Sequence, residues 1–150
     1  MRPGRAGTGP RRSEDLIWIR TLAELAVLVS AAVHLVLWLD GVRHQSVGPA
    51  FLLNAAGGVV IAVLLVSWRH WVPPLLAIGF GVSTLGAFVI SATVGLLGVH
   101  EHWTGGYVWT AAVAEVVAIL AGAVALSRDH ALRSAGKLEH RSPLRRAHLH

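Results

Sequence analysis

The sequence predicts an all-α fold, an integral membrane four-helix bundle with both termini cytoplasmic, and three observations carry that expectation. Hydrophobic residues make up 54% of the 150 residues against 14% charged, with a mean hydropathy of +0.59, a balance well outside that of soluble domains. Four apolar stretches are each long enough, at about 1.5 Å rise per residue, to cross a hydrocarbon core of about 30 Å. Finally, of the 13 Lys and Arg residues all but Arg43 fall where an up-down arrangement gathers them at one end, the asymmetry expected of cytoplasmic segments.

The elements follow in order along the chain. Residues 1–15, with Arg2, Arg5, Arg11 and Arg12, are expected to form a basic, disordered arm. The four-helix domain then occupies residues 16–126. Its first span, about 17–39, holds Arg20 and Glu24, and these charges together with its length argue for a retained helix rather than a cleaved leader. Asp40-Gly41 and Gly48-Pro49 bracket the first loop, after which the second span covers about 50–67. Pro73-Pro74 suit the first turn of the third span, about 73–97, because a missing N–H costs nothing there. Gly105-Gly106 precede the fourth, about 107–126. Residues 127–150 read as a basic cytoplasmic tail that prolongs the fourth helix for a turn or two and lies along an anionic inner leaflet. Trp18, Trp68 and Trp71 would mark the inner interface and Trp38, Trp103 and Trp109 the outer one.

Several function classes are excluded. The basic residues lie in the tails rather than on a folded surface, so nucleic acid is not an expected partner. With no cysteine there are no disulfides, thiolate ligands or Cys nucleophiles. No phosphate loop, dinucleotide fingerprint, HExxH helix or nucleophile elbow occurs in the sequence. No internal repeat is evident, and four spans are too few for the transporter folds built of two large halves.

Each span carries one polar residue at a similar depth. His34 lies six residues below Asp40, Asn54 six below Gly48, Ser91 eight below Val99 and Glu115 eight below Tyr107, which places all four about 9–12 Å from the outer interface. Helical phase sets them on faces of small residues: Glu115 with Ala111, Ala118 and Gly122, Asn54 with Gly57 and Gly58, Ser91 with Thr84 and Gly95, His34 with Ser30 and Ala31. Small residues let membrane helices approach closely, and an ionisable group facing lipid is costly. His34, Asn54, Ser91 and Glu115 are therefore expected to converge inside the bundle, either as a structural hydrogen-bond cluster or as a site for a proton or ligand.

Two further groups invite chemistry. The outer loops hold Asp40, His44, His100, Glu101 and His102; His-Glu-His offers imidazole and carboxylate ligands to Zn(II) or Cu(II), though without the fixed spacing of a zinc motif. The same imidazoles could act as an external pH sensor, and the plain alternative is an interfacial loop anchored by Trp103. At the inner end, Arg20 and Glu24 stand four residues apart on one helix and are expected to form a local ion pair. No cofactor is expected, a metal ion being the alternative, and haem is disfavoured because only His34 is plainly within the bilayer.

The stretches "HLVLW", "GPAFLLNAAGGVV" and "STLGAFVISATVGLLG" with the following "EHW" resemble those of small four-span integral membrane proteins of actinobacteria. The resemblance covers residues 20–126, implies a multi-pass protein of the bacterial plasma membrane, and brings no established activity. Three roles are open at this point: a non-catalytic accessory or structural component, alone, as a homo-oligomer or with a membrane partner; a sensor, binder or transporter of a metal ion, proton or small solute through His34, Glu115 and the outer histidines; or a cofactor-binding oxidoreductase subunit.

Overall fold

The computed structural model describes residues 9–100, 102 and 104–146. Helix α1 covers Gly9–Leu39, α2 Gly48–Ser67, α3 Val72–Thr93 and α4 Gly106–Arg146, with a 3-10 turn at Val42–His44. Among the described residues there is no strand, only an isolated bridge between Leu96 and Val99. Each helix contains a segment long and apolar enough to cross a membrane: Glu14–Leu39, Gly48–Ser67, Val72–Thr93 and Gly106–Ala131. The short connections make consecutive helices antiparallel, so the α2–α3 turn lies at the end where α1 begins and α4 continues, and the other two loops lie at the opposite end.

The boundaries have local causes. Gly41 takes φ 133° just after α1, a conformation that a side chain disfavours. Pro49 sits in the first turn of α2, and Pro73 and Pro74 are buried in that of α3. Helix α3 stops at Thr93, short of the expected residue 97, because the chain turns through positive φ at Gly95, Leu97 and Gly98. At the tails the helices are longer than expected: α1 begins at Gly9, inside the segment read as a disordered arm, and α4 runs on to Arg146. Where the two helices leave the bundle, Arg128 and Asp15 meet at 3.3 Å as an exposed pair.

Helix α1 is the hub, packing along both α2 and α4, while α3 rests chiefly against α4 and only lightly against α2. The core is built of small side chains: Ala23, Ala26, Val27, Ala77, Ala118 and Ala121 are buried, with Leu65 and Phe80 as the bulkier fillers. Large apolar residues such as Leu53, Val63, Val113 and Leu120 point outward instead. That inversion suits a lipid solvent, in which apolar side chains gain nothing by going inside and helices associate by close backbone approach. Gly58 of α2 shows the closeness, since a Cβ there would stand 2.7 Å from that of Ala31 on α1.

Candidate functional site

The buried polar cluster joins α1 to α4. Ser30 and His34 lie one turn apart on α1, and Glu115 faces them from α4; all three are buried, and Glu115 is the largest fully buried side chain among the described residues, at 2% exposure. The Ser30 hydroxyl donates to Glu115 Oε1 across 3.2 Å. His34 folds back on its own helix, with Nδ1 2.8 Å from the Ser30 carbonyl. A carbonyl can only accept, so Nδ1 carries the hydrogen and Nε2 of the neutral ring is the acceptor. The ring lies against Phe51 of α2, centroids 5.1 Å apart.

This geometry limits the chemistry. Although Ser30 Oγ stands 3.5 Å from His34 Nδ1, that nitrogen is already a donor to the Ser30 carbonyl and cannot take the hydroxyl proton. The Ser30 proton points at a carboxyl group instead, so the arrangement is not that of an activated nucleophile. Glu115 and His34 make no direct ion pair and are linked through Ser30. Ser30, which shares the His34 face in the sequence, is the member of this cluster that the polar-layer expectation leaves out, and its position one turn below His34 is the signal for it.

The four residues expected at one depth do not form one cluster. Asn54 pairs with Thr84 of α3 at 3.0 Å, in the lightly packed seam between α2 and α3. The Thr84 hydroxyl also lies 2.8 Å from the Phe80 carbonyl and has a single hydrogen to give. As placed, the hydroxyl faces Asn54 Oδ1 and the buried Asn54 Nδ2 has no partner among the described residues; exchanging the amide oxygen and nitrogen lets Nδ2 donate to Thr84 Oγ1 while the hydroxyl hydrogen goes to the Phe80 carbonyl. Ser91 is a different case: its hydroxyl donates to the carbonyl of Val99 at 2.9 Å. Because α3 ends early and residues 94–100 fold back over its end, Ser91 lies directly beneath the loop rather than two turns below it.

Of the outer candidates, Asp40, His44, His100 and His102 lie within the described residues. Among the described residues, no three His, Cys, Asp or Glu side chains come together in a group that could hold a metal ion. His44 Nε2 accepts a hydrogen bond from Arg43 at 3.1 Å. His100 lies over Gly95, where an added Cβ would come within 2.7 Å of its Nε2, and Ser46 ties the two loops together by donating to the Leu97 carbonyl at 2.6 Å. Asp40 and His102 are exposed, while Glu101 and Trp103 lie outside the described residues.

At the opposite end, the expected Arg20–Glu24 ion pair is replaced by a longer-range one. Arg20 is buried, and its Nη1 meets Asp129 of α4 at 2.9 Å. Its Nη2 donates to the carbonyls of Trp68 and His70 at 2.9 and 3.1 Å, and its Nε reaches the Leu65 carbonyl at 3.5 Å. The C-terminus of α2 presents unpaired carbonyls and the negative end of the helix dipole, which a planar guanidinium satisfies better than a neighbouring carboxylate on α1 can reward. His70 stacks on Trp68 beside this junction, with centroids 5.0 Å apart. It is thus held about 21 Å along the bundle from His34 by the rise of α1.

Fold and cluster define the class: an all-α four-helix bundle whose helices are all of membrane-crossing length and apolarity, closed by a buried Ser–His–Glu cluster near one end and an arginine junction at the other. No family model matches the chain, and no curated protein or solved structure matches it.

Proposed function

We propose that the chain is a non-catalytic, multi-pass component of a bacterial plasma membrane, with both termini cytoplasmic, in which the buried polar groups hold four helices in register. The observation that carries this reading is that Glu115, the most deeply buried ionisable side chain among the described residues, takes its hydrogen bond from Ser30 of the neighbouring helix. The concentration of Arg and Lys in the tails supports the orientation and contact with an anionic leaflet. The resemblance of residues 20–126 to small actinobacterial four-span proteins supports the same placement.

Ser30→Ala, which deprives Glu115 of its donor, should lower stability in detergent by about 1–3 kcal/mol. Glu115→Gln keeps an oxygen for the Ser30 hydroxyl and should cost about 1 kcal/mol or less. Thermal unfolding followed by circular dichroism checks both, and a larger loss for the glutamine variant would contradict a packing role. Orientation is tested by single cysteines, for which a cysteine-free chain is well suited. A membrane-impermeant maleimide should label a Gln45→Cys variant in intact cells and a Ser134→Cys variant only after permeabilisation, and the reverse pattern would overturn the assignment.

A second reading, binding of a proton or small solute at the cluster, is favoured by His34 Nε2 and Glu115 Oε2, which have no partner among the described residues. It predicts that vesicles holding the protein dissipate an imposed proton gradient and that Glu115→Gln abolishes the effect.

A further inference from the structure

Among the described residues Glu24 is the acid inside the bundle that is left unanswered. Of the other acids within the membrane-crossing segments, Asp129 meets Arg20, Asp15 meets Arg128, Glu115 receives the Ser30 hydroxyl, and Glu14 stands exposed at the very first position of its segment, at the membrane edge. Glu24, one turn deeper than Arg20 and half-buried, has no hydrogen bond or ion pair among the described residues. It opens onto a groove of about 300 Å³ between α1 and α2, walled by Leu28, Val59, Val63 and Val66. The one hydroxyl there, that of Ser67, is spent on the Val63 carbonyl at 2.6 Å. An acid at this depth facing bare lipid is strongly disfavoured, and such residues characteristically pair with a polar group on another helix.

The charge pattern decides what that helix is. Within the crossing segments the arginines of this chain are Arg20 and Arg128, and both are already paired. A second copy therefore brings a matching carboxylate to the groove and, within its crossing segments, no spare guanidinium to meet it, Arg69 lying beyond the end of α2 in the α2–α3 turn. We propose that the α1–α2 groove docks a transmembrane helix of a different membrane protein, one that carries a Lys or Arg about one turn inside the membrane edge and sets it against Glu24. Val63 and Val66, exposed on the groove wall, supply the apolar contact on either side of the pair. The inference rests on the membrane reading above but is independent of the role of Glu115.

The test uses the full chain in phosphatidylcholine vesicles and a labelled peptide of about 20 Leu and Ala residues, bearing a single Lys one turn from one end. A control peptide carries Gln in place of the Lys, and binding is followed by energy transfer. The wild-type chain should prefer the Lys peptide by about tenfold, the range of an interhelical polar contact. Glu24→Gln should erase the preference, and Val63→Trp, which fills the groove, should weaken binding of both peptides while helicity is unchanged. Equal binding of the two peptides would overturn the proposal. So would energy transfer between copies of the chain that depends on Glu24, or competition by phosphatidylethanolamine that removes the preference, since these would assign the groove to a second copy or to a lipid headgroup. Failure of the chain to insert, seen as impermeant labelling of both cysteine variants in sealed vesicles, would instead remove the membrane reading on which the inference rests.

Discussion

Arg20→Ala should lower the unfolding midpoint more than any substitution in the Ser30–Glu115 cluster. The side chains of Arg20 and Asp129 are only 9% and 13% exposed, so the variant leaves Asp129 without its partner and removes the donors that reach Leu65, Trp68 and His70. Breaking one side of such a pair costs about 3–5 kcal/mol. Lysine at this position should recover little, because its single ammonium cannot serve the carbonyls and the carboxylate in the planar arrangement that a guanidinium does. The combined change Arg20→Met with Asp129→Leu should recover most of the loss, since removing both charges leaves neither one stranded. Thermal unfolding in mild detergent, read by circular dichroism, distinguishes these cases. A midpoint for Arg20→Ala equivalent to a change below about 0.5 kcal/mol, the level of an ordinary surface substitution, would show that the junction is not a structural tie.

Gly81→Val is expected to be the most damaging change within the α3–α4 contact. A Cβ at Gly81 would stand 2.7 Å from the Glu115 carbonyl oxygen and 2.8 Å from Cγ1 of Ile119. The isoleucine can rotate, but the carbonyl belongs to the backbone of α4, so the two helices must separate. Overpacking of this kind costs about 1–3 kcal/mol, and it displaces the turn of α4 that presents Glu115 to Ser30. Gly86→Ala is the matched control, because nothing lies within 4 Å of a Cβ there; in a helix interior that exchange should be neutral or stabilising by about 0.5–1 kcal/mol. Denaturant titration should therefore show a loss for Gly81→Val and no loss for Gly86→Ala, and equal losses would mean that α3 and α4 are not held at the distance the structure gives.

Much of this fold was legible because apolar length and turn chemistry are local properties. The end of the first helix at Leu39 and the starts of the last two follow from Asp40-Gly41, the Pro73-Pro74 pair and Gly105-Gly106, and the end of the second at Ser67 from the end of its apolar run. The end of α3 was not legible: residues 94–99 are apolar enough to continue a span, and only the positive φ angles at Gly95, Leu97 and Gly98 reveal the reversal. That one turn also explains why depth counting misplaced Ser91, whereas Glu115 and Ser30, in uninterrupted helices, are brought together on the small-residue faces that phase had identified.

The sequence by itself determined the number of membrane-length helices and the polar residues embedded in each, since these depend on composition along a single segment. The tertiary structure alone decided the partners. Arg20 had a carboxylate four residues away and turned instead to Asp129 and the end of α2, because the unsatisfied carbonyls of a neighbouring helix, together with a partly buried carboxylate, outweigh a local pair. Asn54 met Thr84 and Glu115 met Ser30 in the same way: where water is scarce these polar groups are satisfied across a helix contact, and which contact that is depends on packing that no single segment encodes.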